Sequence, residues 1–321
     1  PPPLRPADGP LGPVLIRRLV SDGANPATAT TTLTVRNVAP EAHAGGPYLL
    51  KTGYDAQFDA STSSDPGNDI VSYAWDLDND GQYDDATGVA PTATWSQLTS
   101  LGIAWTGTHP VSVRVTDTDG AATAATTSLT IQPSTVTERL LFYNNSAFDA
   151  PNNDDAIAAK TALLPPGNAT FDNYSSYIRG INGLFVDLDR LADRSLTAAD
   201  FTFLVGNDNN PGGWSAAPNP AIQVHAAAGI NGADRIEFIW NDGVIVNTWL
   251  QVTVHANVRT GLPSDDVFYF GSALGDTGDS TAQALTNGFD FSGVRSHASS
   301  NVGVSSTYEL NRDHYVDGAD L

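Results

Sequence analysis

Gly120 lies 97 positions after Gly23, and the same pattern surrounds both glycines. Pro13-Val14-Leu15-Ile16-Arg17 leads to Ser21-Asp22-Gly23 and then to Thr32-Leu33-Thr34-Val35. Pro110-Val111-Ser112-Val113-Arg114 leads to Thr118-Asp119-Gly120 and then to Ser128-Leu129-Thr130-Ile131. Each copy is a pair of alternating runs around an Asp-Gly turn, the signature of a β-hairpin with one buried face. A repeat at this spacing fits an antiparallel sandwich of roughly 100 residues, of which the hairpin forms the last two strands. The first copy has no front half in this sequence, so its apolar set, Val14, Ile16, Leu19, Leu33 and Val35, needs a partner surface. Two sources are open: a neighbouring copy of the chain, joined head-to-tail into a filament by strand addition, or a cut through a longer tandem array.

Inside the second, complete copy, carboxylates recur at every second residue and run into a glycine: Trp75-Asp76-Leu77-Asp78-Asn79-Asp80-Gly81-Gln82-Tyr83-Asp84-Asp85. Asp76, Asp78 and Asp80 place hard oxygen ligands at the first, third and fifth positions of a calcium loop, and Gly81 permits the tight turn. The Gln82 carbonyl and Asp84 or Asp85 then close the shell. Two carboxylates about 5 Å apart repel by roughly 3 kcal/mol at an effective dielectric near 20, so such a cluster needs a divalent cation or full solvation. The alternative is therefore a hydrated acidic turn. Thr87 occupies the twelfth position instead of the bidentate Glu of a helix-loop-helix site, and the flanks are β-like, so the expectation is a β-loop site.

Residues 37–132 carry, in order, Asn37-Val38-Ala39-Pro40, Ala44-Gly45-Gly46-Pro47, Phe58-Asp59-Ala60-Ser61, Ser64-Asp65-Pro66, Ile70-Val71-Ser72-Tyr73-Ala74-Trp75-Asp76 and Val111-Ser112-Val113-Arg114-Val115-Thr116-Asp117. This stretch resembles a bacterial polycystic kidney disease (PKD) domain, with Trp75-Asp76-Leu77-Asp78-Asn79-Asp80-Gly81 as an acidic version of that family's W-D-F-G-D-G segment. The resemblance implies an immunoglobulin-like β-sandwich that acts as a spacer or interaction module and not as a catalyst, with Trp75 in its core.

The chain has 36 Asp and Glu against 15 Lys and Arg, a formal charge of −21. Nucleic acid and anionic membranes would meet repulsion over most of its surface, whereas cations are natural partners. Cysteine is absent, so bound calcium is the available staple for a secreted chain. Methionine is absent even at position 1, and no charged segment followed by an apolar run opens the sequence, so it reads as a processed or internal piece of a longer product. No stretch of 18 apolar residues suits a membrane span.

After Pro133-Ser134-Thr135 a second set of β-runs begins at Leu140-Leu141-Phe142-Tyr143. It continues at residues 183–188, 201–205, 222–225, 235–240, 249–254 and 267–270, with Asn241-Asp242-Gly243 as a turn signal. These predict a second, jelly-roll-like sandwich, similar to a domain found ahead of dockerin-type repeats in large bacterial surface proteins. Oxygen-rich clusters at Asn144-Asn145, Asp149, Asn152 to Asp155 and Asn207 to Asn210 suit either a further calcium site or Asx turns. Tyr174, Tyr177 and Trp214 suit either sugar stacking or packing. The end of the chain resembles one dockerin calcium loop, with Glu309, Asn311, Asp313, the Tyr315 carbonyl, Asp317 and Asp320 at positions one, three, five, seven, nine and twelve. Glu in place of Asp at the first position and His314 in place of the turn glycine are departures, and the alternative is an acidic disordered end.

The six histidines show no metal-ligand spacing, and no nucleophile elbow or phosphate-cradling loop is present. The fold expected is all-β, with tandem β-sandwiches: residues 1–36 a partial repeat, 37–133 an immunoglobulin-like PKD module, 134–274 a second sandwich and 275–321 an acidic tail with a partial calcium loop. The function expected is a non-enzymatic, extracellular structural or adhesive module of a bacterial surface or filament protein, stiffened by calcium and assembled with other copies of itself. The alternative is a carbohydrate-binding or scaffold-docking module of a secreted polysaccharide-degrading system.

Overall fold

A computed structural model describes residues 14–33, 36–103, 106–149, 153–281 and 284–320. The chain divides into two compact units, the first ending at Gln132 and the second beginning at Pro133.

In the first unit, β1 (Val14–Ser21) and β2 (Pro26–Leu33) form an antiparallel sheet of two strands. Asp22 sets the turn between them: its Oδ1 accepts from the Ala24 and Asn25 N–H groups at 3.0 and 2.9 Å, while Gly23 takes a left-handed φ of +98°. Ile16, Leu19 and Val20 stay 43, 65 and 55% exposed. An apolar hairpin this open is marginal in water. Val35 and the side chains of Val14 and Leu33 lie outside the described residues.

Seven strands and one helix follow: β3 (Tyr48–Lys51), β4 (Ala56–Gln57), β5 (Ile70–Asp76), β6 (Ala86–Thr87), β7 (Thr92–Ala93), α1 (Trp95–Ser100), β8 (Gly107–Asp117) and β9 (Ala122–Gln132). Five of the strands make one sheet in the order β3-β9-β8-β5-β6, and β4 pairs with β7. On β8, Val111, Val113 and Val115 point inward with no exposure, as the period of two demands. They meet Trp75, Leu77, Leu98, Leu129 and Phe58 in one core. Trp75 is fully buried, its ring 5.2 Å from that of Phe58, and its Nε1–H donates to the Gly88 carbonyl at 3.0 Å. A tryptophan so placed removes roughly 200 Å² from water, at most about 5 kcal/mol of gross stabilisation. Thr94 and Gln97 cap α1 reciprocally, which fixes where the chain turns back toward β8.

The second unit contains β10 (Thr135–Leu141), β11 (Tyr174–Ser175), β12 (Gly183–Asp189), β13 (Phe201–Gly206), β14 (Ser215–Ala216), β15 (Ala221–His225), β16 (Asp234–Ile239), β17 (Trp249–Val254), β18 (Asp266–Ser272), α2 (Gly288–Ser296), β19 (Ser299–Ser300) and β20 (Tyr315–Val316). One sheet runs β10-β12-β16-β15 and the other β11-β18-β17-β13-β14. Leu184, Val186, Ile236 and Phe238 from the first face Phe203, Leu250, Val252 and Phe268 from the second across a shared core. The chain passes from one sheet to the other between β10 and β11, β11 and β12, β12 and β13, β14 and β15, and β16 and β17. Because β12 pairs with β16 while β13 pairs with β17, the winding is jelly-roll-like. Asn241-Asp242-Gly243 therefore marks a crossing and not a hairpin. Asp242 holds that corner by accepting from Asn182 Nδ2 (2.8 Å), Arg179 (2.7 Å) and Asn145 Nδ2 (3.1 Å).

The segment from Gly275 onward packs on this sandwich: the Ile178 N–H donates to the Leu310 carbonyl and the Ala147 N–H to the Arg312 carbonyl. Val294, Leu310 and Val316 form a small core of their own.

Candidate metal centre

Strand β5 ends on Asp76, which the sheet carries into the unit's interior with 3% exposure. Its Oδ2 accepts the Gly81 N–H at 3.0 Å, closing a loop that needs left-handed backbone at Asn79 (φ +62°) and Gly81 (φ +89°). Its Oδ1 is buried with no hydrogen-bond partner. A buried carboxylate oxygen without a donor costs on the order of 1–3 kcal/mol or more, which a cation would offset. The Asp85 N–H donates to the Trp75 carbonyl at 3.1 Å, so the loop returns to the strand end from which it left. Asp85 Oδ2 then accepts from the Leu77 and Asp78 N–H groups at 2.6 and 3.3 Å.

This return brings one carboxylate oxygen each of Asp76, Asp78 and Asp85 within 4.8 Å of one another. Burial pushes the Asp85 carboxyl up. The Leu77 and Asp78 N–H groups oppose that rise, and the charges of Asp78 and Asp84 add to it. Asp80 and Asp84 stand outside the trio. Asp80 instead accepts from Gln82, at 2.7 Å from its N–H and 3.1 Å from its side-chain amide, so these two positions brace the turn.

The loop at residues 309–320 is built as a ladder of side-chain-to-backbone bonds. Glu309 Oε1 and Asn311 Oδ1 accept the Asp313 N–H (2.8 and 3.0 Å), and Asp313 Oδ1 accepts the Tyr315 N–H (2.9 Å). Asp320 closes it, accepting from Leu310, Asn311 and Asp317 N–H groups at 2.6, 3.1 and 2.9 Å, while Asp317 accepts from Ala319 at 2.7 Å. His314, in the place of the turn glycine, adopts φ +79°. Tyr315 lies on β20 against Ser300. Glu309 is fully buried, its Oε2 has no hydrogen-bond partner, and burial holds its carboxyl above the usual range. Among the described residues, the carboxylates of this loop do not gather into a trio like that of Asp76, Asp78 and Asp85.

A third acidic group, Asp276, Asp279 and Asp290, was not anticipated from the sequence. Protein donors account for its buried members. Asp276 accepts from Gly278 N–H (2.7 Å) and the Tyr174 hydroxyl (3.1 Å), and Asp290 from Thr277 and Asn287 at the start of α2. The capping pair Asn287-x-x-Asp290 was the sequence signal available for it.

The oxygen-rich clusters of the second unit resolve into turns and ion pairs. Asp149 accepts the Asn145 N–H, Asp154 pairs with Arg235, and Asp208 accepts the Asn210 N–H at 2.9 Å. Asn152 lies outside the described residues. Tyr174 and Tyr177 are buried, so neither offers a stacking face. Trp214 lies against Gly206, where an added Cβ would meet its ring at 2.3 Å, and its Nε1–H is held by Asp208 at 2.9 Å. No described helix is long and apolar enough to cross a membrane.

Residues 37–132 match the family model described as PKD domain. Among solved structures, the chain is similar to the PKD1 domain of Vibrio anguillarum Epp, at 31% identity over 30% of this chain and 98% of that one, with a TM-score of 0.23. It is also similar to the PKD1 domain of the Vibrio cholerae metalloprotease PrtV, at 28% identity over 30% and 99%, with a TM-score of 0.22. A structure of carbohydrate-binding modules from the β-sandwich superfamily aligns over 74% of this chain and 98% of its own at 18% identity, with a TM-score of 0.25. No curated protein matches the chain.

Proposed function

We propose that the chain, whose residues 37–132 match the PKD domain family model, is a non-catalytic, extracellular structural module whose first sandwich is stapled by calcium. The observation that supports this reading best is Asp76: a carboxylate carried inside by β5, with one oxygen unpartnered and two further carboxylates within 4.8 Å. A donor set made only of oxygens suits a hard divalent cation. Asp76, Asp78 and Asp85 are the proposed ligands. Asp80 and Gln82 shape the turn, and Asp80, the Gln82 carbonyl and Asp84 would supply remaining positions directly or through water. When bound, the ion would supply charge neutralisation and cross-link the end of β5 to the return of the loop. We place a second calcium at Glu309, Asn311, Asp313, the Tyr315 carbonyl, Asp317 and Asp320.

The exposed hairpin supports an assembly role for the chain. Ile16, Leu19 and Val20 face solvent, while the equivalent strands β8 and β9 bury their apolar faces within a complete sandwich. The hairpin would cover its apolar face by strand addition to the sandwich of a neighbouring copy of the chain. Electron microscopy and light scattering on intact protein, with and without chelator, test this reading. Long particles that shorten when residues 1–36 are deleted support it, and a monodisperse monomer unaffected by the deletion refutes the assembly role.

A further inference from the structure

A cavity of about 150 Å³ opens in the second unit beside residues 304–307, lined by Tyr143, Lys160, Phe171, Ser176 and Arg312, among others. In a chain of net charge −21 it gathers two cations. Arg312 is 2% exposed. Its guanidinium lies 4.2 Å from the Tyr143 ring centroid and donates to the Tyr143 hydroxyl at 3.0 Å and the Ser306 carbonyl at 2.6 Å. These partners are neutral. Arg312 forms a long ion pair with the buried Glu309, whose Oε2 stands 3.9 Å from Nη1, outside hydrogen-bond reach, and Arg312 Nε has no hydrogen-bond partner.

Lys160 Nζ donates to the Phe171 carbonyl at 2.7 Å and sits 3.4 Å from the Phe171 ring centroid, which leaves two of its N–H groups uncommitted. Burial depresses the Lys160 ammonium to about 8. Ser176, 1% exposed, has an Oγ without a partner. The acidic residue at the wall, Asp172, is exposed at the rim. Buried cations and an orphaned hydroxyl around one small space are costly unless an anion meets them.

We propose that this cavity binds a carboxylate group, held by Lys160 Nζ, Ser176 Oγ and Arg312 Nε. A planar carboxylate has two oxygens to divide among these donors, and the volume takes the group with little more than a short chain or the edge of a sugar ring. Its source is a free small acid or the carboxylate of a uronic acid.

Titration calorimetry of the full chain with sodium acetate and with sodium glucuronate, at fixed chloride, tests the assignment. Saturable one-to-one binding is expected. Lys160→Gln should weaken it at least tenfold, about the loss of one hydrogen bond to a charged group, with the circular dichroism of the free protein showing the fold retained. Ser176→Ala, a smaller change in the lining, should weaken it several-fold. Acetate binding as tightly as glucuronate identifies a small-acid pocket, and a preference for glucuronate identifies a sugar-acid subsite. Absence of saturation with both ligands, or unchanged binding in both variants, overturns the proposal and leaves a water-filled cavity.

Discussion

Replacing Asp85 by Asn should stabilise the first unit in chelator and weaken its response to calcium, two effects of opposite sign from one atom. The carboxylates of Asp78 and Asp85 approach within 4.8 Å. At that distance their repulsion is roughly 3 kcal/mol at an effective dielectric of 20 and about 1 kcal/mol in water, and because Asp78 is exposed the lower figure is nearer. An Asn oxygen still accepts from the Leu77 and Asp78 N–H groups, so the substitution removes charge and keeps the bonds. The raised Asp85 carboxyl has the same sign. Its neutral form is favoured in the folded state, so the stability it contributes is present below the unfolded carboxylate range and lost as pH rises through its folded value. A gain of about 1 kcal/mol raises the midpoint by a few degrees for a unit of this size. In calcium at 100 times its dissociation constant, the unaltered protein gains about 2.7 kcal/mol, and the variant should forfeit most of that. Scanning fluorimetry of both proteins in chelator and in calcium reads all four midpoints. A lower midpoint for Asp85→Asn in chelator, or an undiminished calcium shift, refutes the reasoning.

Trp75→Ala should cost roughly 3–5 kcal/mol, the range for emptying a buried aromatic site, and urea titration should show the first unit unfolding early while the second keeps its transition. Asp200→Asn should destabilise the second unit at neutral pH by about 1–3 kcal/mol. Burial raises the Asp200 carboxyl, but the Arg259 and Thr197 hydrogen bonds outweigh burial and hold it below the usual value. Its stabilisation is therefore present above the unfolded carboxylate range and lost as pH falls through the folded value, so the variant's acid unfolding curve should be flatter. Gly45→Ala should cost more than about 1 kcal/mol by thermal melting, since φ is +62° and an added Cβ would lie 2.3 Å from the Asp59 carbonyl oxygen.

The strands were legible because their signal is local. Phe201 and Phe203 alternate with half-buried Thr202 and Leu204, whereas residues 183–188 and 235–238 are buried throughout, and the observed strands begin and end within a residue or so of the expected runs. Asn241-Asp242-Gly243 marked the turn that is present, but a turn motif fixes a change of direction and not the strand's next partner, which the sheet crossing decided. In the acidic loop, the spacing marked Asp76, Asp78 and Asp80 as ligand candidates, with the Gln82 carbonyl and Asp84 or Asp85 closing the shell. That Asp85 comes close to Asp76 and Asp78 depends on the Asp85 N–H reaching back to Trp75, which spacing does not show. Tyr174 and Tyr177 looked loop-borne in sequence and are core residues, since long irregular segments cover the sandwich and pin themselves down with buried aromatics. The Asp276 group was hidden because Asp276 and Asp290 come together only through the Thr277 contact.

Titration calorimetry of calcium into chelator-treated full chain, beside Asp76→Asn, tests the calcium staple most directly. The account predicts saturable binding to the unaltered protein, loss of one site in the variant, and retention of the site at residues 309–320. Absence of calcium binding, or the same number of sites with the same affinities in Asp76→Asn, would contradict it.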